Sequence, residues 1–214
     1  MNANLKLYQS NGSPNSRRVR IFLAEKGVTL TQVAIDLGAK EQFSDAYVAI
    51  NPRRVVPTLV LEDGTVIGEV PAIMRYLDEA FPTKPLLGAD AKEKAVIQMW
   101  ERRMELEGFA AVMETVRNRA AGLKGRAIAG PHDYEQIPAL VDRGMERVKD
   151  FYTDLEARLN EQPFVAGPAL SAADITAFVT IGFATNALQL AIPEANAATS
   201  RWYNALAARE SFSA

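Results

Sequence analysis

The spacing of apolar residues changes near residue 90, and that change limits the possible folds more than any other feature. Before it, short alternating runs typical of strands lie between helical runs. After it, helical spacing continues almost to the last residue. The sequence therefore predicts an α/β part followed by a part built from helices only.

The first part predicts the element order β-α-β-α-β-β-α. Its clearest signal is the hairpin pattern PTLVLEDGTVIG, in which two apolar runs are joined through Asp63 and Gly64. Pro71 then occupies a first helical position, and helical spacing continues through AIMRYLDEAF. The predicted limits are 1–82 for a thioredoxin-like α/β domain, 83–90 for a linker rich in Pro and Gly, and 91–214 for an all-α domain.

The helical part carries two local signals. A long helical stretch covers residues 90–121, and Gly108 predicts a bend within it. Ser171 is followed three residues later by Asp174, at the start of an apolar run. This spacing predicts a capping box, with Asp in the position that Glu usually takes.

Composition excludes several kinds of chemistry. The chain has no cysteine, which excludes disulfides, thiolate metal ligands and a cysteine nucleophile. His132 is the single histidine, so a site with several histidine ligands is excluded. The net charge of −2 provides no overall attraction to nucleic acid or to an anionic membrane.

Two segments indicate where in the cell the protein is expected. The most apolar stretch, AADITAFVTIGFATNALQLAI, is interrupted by Asp174 and Asn186, which favours a buried helix over a membrane span. The N-terminal residues MNANLKLYQS lack the apolar core of a secretory signal. We therefore expect a cytoplasmic protein with neither a membrane nor a nucleic acid as partner.

Ser13 lies in a turn between the first predicted strand and the first predicted helix. The free N–H groups and partial positive charge of a helix start favour an anion, to which a hydroxyl can donate. A phosphate is one candidate, although the segment lacks the glycine pattern and lysine of a P-loop. A thiolate is another, and a ligand must supply it because the chain has no thiol. The third interpretation is that Ser13 is only an N-cap.

A second helix start combines a carboxylate with a free backbone donor. Glu69 can accept from an ammonium group, and the N–H at the start of the next helix can hold a carboxylate. A ligand end that carries both groups, as an α-amino acid does, matches this pair. The alternative is that Glu69 only places a favourable charge near a helix start.

These segments, in this order and followed by a helical domain, resemble the cytosolic glutathione transferases of the bacterial, serine-type, theta-, zeta- and nu-like kinds. The resemblance covers nearly the whole chain. Three segments are similar to the family's catalytic loop, central segment and C-terminal capping box: LYQSNGSPNSRRVRIFLAEKG, NPRRVVPTLVLEDGTVIGEVPAIMRYL and LSAADI.

The resemblance implies a role for residues near the first helix. Ser13 matches the serine that donates a hydrogen bond to the sulfur of glutathione, and Asn15 matches an asparagine that assists it in nu-like members. These two are the expected catalytic residues. Either Arg53 or Arg54 would reach the glycyl carboxylate of glutathione, or both are solvated, which is commoner for surface arginines.

The resemblance also implies glutathione contacts in the central segment. Val56 would pair its backbone with the cysteinyl part of glutathione, with Pro57 in the cis form. Local sequence alone does not predict cis, because only about 5–6% of X-Pro bonds adopt it. Glu69 would hold the γ-glutamyl ammonium. Val70 stands where the family usually has serine, so only its backbone N–H would contact the γ-glutamyl carboxylate.

The function implied is a glutathione transferase that activates the thiol for attack on a small hydrophobic electrophile, a disulfide or a peroxide. It needs no metal, and a homodimer is expected. Two alternatives remain: a glutathione-dependent isomerase, dehalogenase or disulfide reductase, and a non-catalytic binding protein on the same fold. Isomerases resembling maleylacetoacetate isomerase carry SSC at the serine loop, whereas this chain has Ser13-Pro14-Asn15, which leans toward nu-like disulfide reductase chemistry.

Overall fold

The structure is a computed structural model that describes residues 5–214, so residues 1–4 of the predicted α/β domain lie outside the described range. The described residues pack as two compact units. The first contains the chain up to Lys84 together with Ala129–His132 and Ala214. The second contains Pro85–Ile128 and Asp133–Ser213.

The first unit holds a small sheet and three helices in the predicted order. Its elements are β1 (Lys6–Gln9), α1 (Pro14–Lys26), β2 (Thr31–Ala34), α2 (Asp45–Val48), β3 (Thr58–Val60), β4 (Val66–Ile67) and α3 (Val70–Ala80), with a 3₁₀ turn at Glu41–Phe43 before α2. The predicted α/β class and its element order are confirmed.

The sheet has the strand order β2-β1-β3-β4, with β1 parallel to β2 and β3 antiparallel to both of its neighbours. Tyr8 near the end of β1 lies opposite Thr58, the first residue of β3. Ile67 at the end of β4 lies opposite Leu59. The segments that follow β1, precede β3 and follow β4 therefore emerge at one edge of the sheet.

Apolar side chains from the sheet and from α1 and α3 form the core of this unit. Leu7, Phe22, Leu59, Ile73 and Leu77 are completely buried. Burial of each such side chain contributes roughly 1.5–3 kcal/mol to stability. This packing fixes both helices, and with them the two helix starts that the sequence singled out.

A buried ion pair ties the end of α1 to α3. The Nζ of Lys26 lies 2.6 Å from Oδ1 of Asp78, and the two side chains are 0% and 7% exposed. The same ammonium donates to the carbonyl oxygens of Thr83 at 3.2 Å and Lys84 at 3.0 Å. An ammonium group has three hydrogens, so all of its donors are used inside the protein.

The second unit contains helices only, as predicted. They are α4 (Ala91–Arg103), α5 (Ala110–Arg119), α6 (Ala139–Glu161), α7 (Ala172–Leu188) and α8 (Ala197–Ala207). Most of α7 is buried, in agreement with the expectation for the apolar stretch that contains it. Within residues 5–214, no helix combines the length and the apolar character that a membrane span requires.

The bend predicted at Gly108 is a π-helical turn, Met104–Phe109, that joins α4 to α5. A Cβ at Gly108 would lie 2.6 Å from the ring of Phe151 on α6, so a larger residue would displace that ring. A Cβ at Gly144 would lie only 2.0 Å from Oγ1 of Thr115 on α5. The two glycines therefore allow α6 to approach its neighbours closely.

The predicted capping box at the start of α7 is present. Oδ2 of Asp174 accepts from the N–H and from the hydroxyl of Ser171, both at 2.9 Å. Oδ1 accepts from the N–H of Val165 at 2.8 Å and from Nε1 of Trp202 at 3.0 Å. Burial raises the pKa of Asp174 to about 6, against the four hydrogen bonds that lower it.

Replacing Lys26 by alanine removes the ammonium from a buried carboxylate and leaves two carbonyl groups without their donor. We expect a loss of about 3–5 kcal/mol in the free energy of unfolding, measured by urea denaturation. Arg75→Ala is the matched control, because Arg75 and Glu79 form an ion pair that is 66% and 63% exposed. Exposed pairs contribute about 0–1 kcal/mol. Equal losses in both variants would contradict the structural role of Lys26.

Asp174 predicts a pH dependence with a defined sign. Its folded pKa of about 6 lies above its unfolded value, so the folded protein binds the extra proton between about pH 4 and 6. The stability advantage of the wild type over Asp174→Asn should therefore decrease as the pH rises from about 4 to about 7. Urea unfolding of both proteins at several pH values measures the difference in their free energies of unfolding. The contributions of the other titrating groups are the same in both proteins and cancel in this difference.

Asp63 supplies the opposite control, because hydrogen bonds from Thr65 lower its pKa. The advantage of the wild type over Asp63→Asn should increase as the pH rises through the unfolded pKa of aspartate, near 4. An Asp174→Asn difference that rises in the same way would contradict the effect of burial on Asp174.

Candidate active site

Ser13 caps α1 and still has a donor to offer. Its Oγ accepts from the N–H of Ser16 at 3.3 Å, and its own N–H donates to the carbonyl of Ser10 at 3.1 Å. The residue is 7% exposed. No acceptor within residues 5–214 takes the hydroxyl hydrogen. The cap uses a lone pair of the oxygen, so the cap and donor interpretations of Ser13 are compatible.

Two arginines of α1 donate hydrogen bonds on either side of Ser13. Arg20 donates through Nη1 to Oε1 of Gln9 at 2.7 Å and to the carbonyl of Ser10 at 3.2 Å. Burial and the nearby Arg17 lower the pKa of Arg20. Arg18 is completely buried and donates to Oδ1 of Asn15 at 3.2 Å. Asn15 therefore helps to orient a buried cation in the first turns of α1.

The peptide bond between Val56 and Pro57 is cis, at the entry to β3. The N–H and C=O of Val56 bond to no other residue in the range 5–214. They remain available to an extended peptide ligand, which can pair with backbone groups in this way.

Three buried polar side chains hold the loop before Pro57. The carbonyl of Val55 accepts from the hydroxyl of Tyr47 at 2.6 Å and from Nδ2 of Asn51 at 3.1 Å. Asn51 also donates to Oγ1 of Thr58 at 2.8 Å. Burial raises the pKa of Tyr47. The sequence did not predict this network. Asn51 before Pro52 is its one local signal, and spacing does not identify the partners of Asn51.

The start of α3 has an unusual backbone. Glu69 has φ 61° and ψ 124°, in a region that favours glycine, and its side chain is exposed. Such a conformation costs on the order of 1–3 kcal/mol and is concentrated at functional sites. Val70 is 4% exposed, and its side chain offers no polar atom. The free donor at this helix start is therefore backbone only.

Two more polar groups of the first unit lack hydrogen-bond partners within residues 5–214. Nε of Arg54 and Oε1 of Gln42 are buried without a hydrogen bond inside the described part of the chain. The Arg54 guanidinium lies 5.9 Å from the centre of the Phe43 ring, and its backbone has φ 58°. Buried polar groups are rarely left unsatisfied, so a ligand or water is expected to contact them. Gln42 had no recognisable signal in the sequence.

Topology brings the predicted residues to one edge of the sheet. Ser13 follows β1, the Val56–Pro57 bond precedes β3, and Glu69 and Val70 follow β4. The strand pairing places these three segments at the same edge. A helix-start donor, free backbone groups and a carboxylate next to a second helix start are suited to binding a peptide that carries an anionic atom, an ammonium and a carboxylate.

A surface cavity of about 380 Å³ lies at the other edge of the sheet, lined in part by Leu5, Leu61 and Tyr76. It does not include any of the predicted site residues. Among the residues that the structure describes, no group of three acidic or histidine side chains converges as a metal site would require.

Two family models match this chain. Residues 7–85 match the family model described as glutathione S-transferase, N-terminal domain. Residues 138–205 match the model described as glutathione S-transferase, C-terminal domain.

Individual relatives extend the match to the whole chain. Glutathione S-transferase 2 of Saccharomyces cerevisiae is 31% identical over 229 aligned residues, which cover 99% of this chain and 89% of the relative. The crystal structure of a glutathione S-transferase domain-containing protein from Marinobacter aquaeolei is 35% identical, with a TM-score of 0.86 over 97% of this chain and 99% of its own. Maleylacetoacetate isomerase of Pseudomonas aeruginosa is 38% identical over 93 residues, which are 42% of this chain and 44% of the isomerase. The chain belongs to the glutathione S-transferase family.

Proposed function

We propose that this protein is a glutathione-dependent enzyme that holds the thiol of glutathione as a thiolate at the start of α1 and directs it at an electrophile. One observation carries the proposal: the Ser13 hydroxyl lies at a helix N-terminus with an unused hydrogen and no acceptor within residues 5–214. Because the chain contains no cysteine, the sulfur must come from the ligand.

The energetics of this arrangement are adequate. A free thiol has a pKa of about 8.5, and lowering it by two units requires roughly 2.7 kcal/mol of preference for the thiolate. A hydrogen bond to a charged group contributes about 1.5–3 kcal/mol. The helix start adds about 0.3–1 kcal/mol. Ser13 and the α1 terminus together can therefore hold most of the bound thiol ionised at neutral pH.

The remaining contacts follow the tripeptide along the edge of the sheet. Val56 offers its free N–H and C=O to the cysteinyl residue of glutathione. Glu69 accepts from the γ-glutamyl ammonium, and the N–H of Val70 donates to the γ-glutamyl carboxylate. The unpartnered Nε of Arg54 is a donor for the glycyl carboxylate. Asn15 assists Ser13 indirectly, because it orients the buried Arg18 below the turn.

In the proposed reaction the thiolate attacks an electrophilic carbon of a small hydrophobic substrate. A carbon–sulfur bond forms, and the leaving group departs with the electron pair of the bond that breaks. The protein accelerates this step by raising the thiolate fraction and by positioning the sulfur. No metal or prosthetic group is needed for it. The homodimer, the cytoplasmic location and the peroxidase activity stay predictions.

A glutathione-dependent isomerase is the second candidate, because part of the chain is similar to maleylacetoacetate isomerase. The full-length similarity to a protein named glutathione S-transferase favours the first candidate. The Ser13-Pro14-Asn15 loop instead leans toward disulfide reduction. Turnover with a chlorinated aromatic, a mixed disulfide and a cis-diketo acid separates the three activities. Binding of glutathione without turnover of any of them would support the non-catalytic alternative.

Replacing Ser13 by alanine removes the hydrogen bond to sulfur. We expect turnover at neutral pH to fall about 10- to 150-fold, the kinetic equivalent of roughly 1.5–3 kcal/mol. The affinity for glutathione should change little, because docking rests on the other contacts. The pKa of the bound thiol, followed by the ultraviolet absorbance of the thiolate, should rise toward that of free glutathione.

Asp90→Ala is the matched control for the loss of a helix cap. Asp90 caps α4 by accepting from the N–H of Glu93 at 2.8 Å, so this variant also loses stability but should keep the thiol pKa. Ser13→Thr should retain most of the activity. An unchanged thiol pKa in Ser13→Ala would assign the activation of sulfur to another group.

A further inference from the structure

The turn between β1 and α1 has Asn11 and Gly12 at its centre. The N–H of Ser13 donates to the carbonyl of Ser10 at 3.1 Å, which closes a β-turn around these two residues. Both are exposed, and the sequence contains no other Asn-Gly pair. In such a pair the backbone nitrogen after asparagine reaches the side-chain amide with little obstruction, because glycine has no Cβ.

The backbone of this turn does not require a glycine. Neither Asn11 nor Gly12 has a positive φ. A Cβ built on Gly12 would have no atom within 4 Å other than those of its chain neighbours, so a side chain would fit there. The glycine therefore serves neither conformation nor packing, and its effect is to leave the amide of Asn11 accessible from the adjoining peptide nitrogen.

A chain of hydrogen bonds polarises the side-chain amide of Asn11. Nε2 of Gln9 donates to Oδ1 of Asn11 at 3.1 Å, and Oε1 of Gln9 accepts from Nη1 of Arg20 at 2.7 Å. Gln9 is 5% exposed, so this relay is largely shielded from water. A donor on Oδ1 stabilises the negative charge that develops on this oxygen when a nucleophile adds to Cγ.

The nucleophile and the leaving group of this reaction are both unengaged. Within residues 5–214, no acceptor takes the N–H of Gly12, and no hydrogen bond holds Nδ2 of Asn11. Asn15 provides the contrast. Its Oδ1 also accepts a hydrogen bond, but the N–H of Ser16 after it donates to Oγ of Ser13 at 3.3 Å.

We propose that Asn11 is a site of spontaneous deamidation that slowly ends the activation of the thiol by Ser13. The nitrogen of Gly12 bonds to Cγ of Asn11, the bond from Cγ to Nδ2 breaks, and Nδ2 leaves as ammonia with the proton of the Gly12 nitrogen. The product is a cyclic succinimide. Water adds to either of its carbonyl carbons and opens the ring to aspartate or isoaspartate at position 11.

The effect on the active site rests on the proposed function. A carboxylate at position 11 lies in the turn that presents Ser13, and a like charge there disfavours the thiolate. Isoaspartate also adds a carbon atom to the main chain inside the turn, so the hydrogen bond from Ser13 to Ser10 loses its geometry. Both products therefore weaken the activation of sulfur.

The test ages the full-length protein at mildly alkaline pH and physiological temperature. Mass spectrometry of the tryptic peptide of residues 7–17 should show Asn11 converted while Asn15 stays an amide. Asn204, exposed on α8, is a second internal control and should also stay an amide. Methylation specific for isoaspartate counts that product independently.

Gly12→Ala should slow the conversion of Asn11 about 10-fold, because the added Cβ obstructs the attacking nitrogen. Gln9→Met removes the donor to Oδ1 and should slow it as well. Gly122→Ala is the matched control, because Gly122 also has open space at its Cβ position, and this variant should age as the wild type does.

Activity is followed in the same samples. In the fully converted protein, kcat/KM at mildly acidic pH should fall about 3- to 10-fold as the thiol pKa rises by about 0.5–1 unit. Asn11→Asp reproduces the charge without the extra main-chain atom and should show part of this loss. Gly12→Ala should begin with wild-type activity and keep it.

The outcomes separate this inference from the proposed function. If Asn11 stays an amide as long as the internal controls do, the modification site is overturned. Undiminished conversion in Gly12→Ala or Gln9→Met would overturn the role assigned to that residue. A wild-type thiol pKa in the converted protein and in Asn11→Asp would overturn the effect on sulfur. A protein that converts but does not bind glutathione would refute the proposed function and that effect, and would support the modification site.

Discussion

The antiparallel pairing of β3 with both β1 and β4 is the constraint on which the candidate site depends. It brings the end of β1, the start of β3 and the end of β4 to one edge of the sheet. Each strand delivers one kind of group there: a helix-start hydroxyl, free backbone groups before a cis proline, and a carboxylate beside a second helix start. A slip in the register of either pairing would move these groups apart, because each residue of the slipped strand would then lie opposite a different residue and face the other side of the sheet.

The proposed chemistry of the site follows from the absence of cysteine in the chain. The protein has no thiol of its own, so it can offer only an environment for an anionic sulfur: a helix start, a hydroxyl hydrogen and the nearby arginines of α1, of which Arg18 is buried. The same oxygen of Ser13 caps α1, so the structural and chemical roles reinforce each other. The strained backbone of Glu69 and the apolar side chain of Val70 leave backbone donors as the principal contacts at the second helix start.

Local signals were predicted well. The element order, the capping box of Ser171 and Asp174, and an irregularity of the helix at Gly108 were all recognisable, because each depends on residues close together in the chain. The network of Tyr47, Asn51 and Thr58 and the pair of Lys26 with Asp78 were not predicted. Lys26 and Asp78 are separated by 52 positions, and no spacing rule connects residues that far apart.

The sequence by itself determined the class of each part, the helix start at Ser13 and the need for a borrowed sulfur, since periodicity, turn residues and the absence of cysteine are properties of the chain. Only the tertiary structure decided that Ser13, Val56 and Glu69 share an edge of the sheet and that Lys26 pairs with Asp78. These relations depend on strand pairing and loop closure between distant residues, and that geometry exists only after the chain has folded.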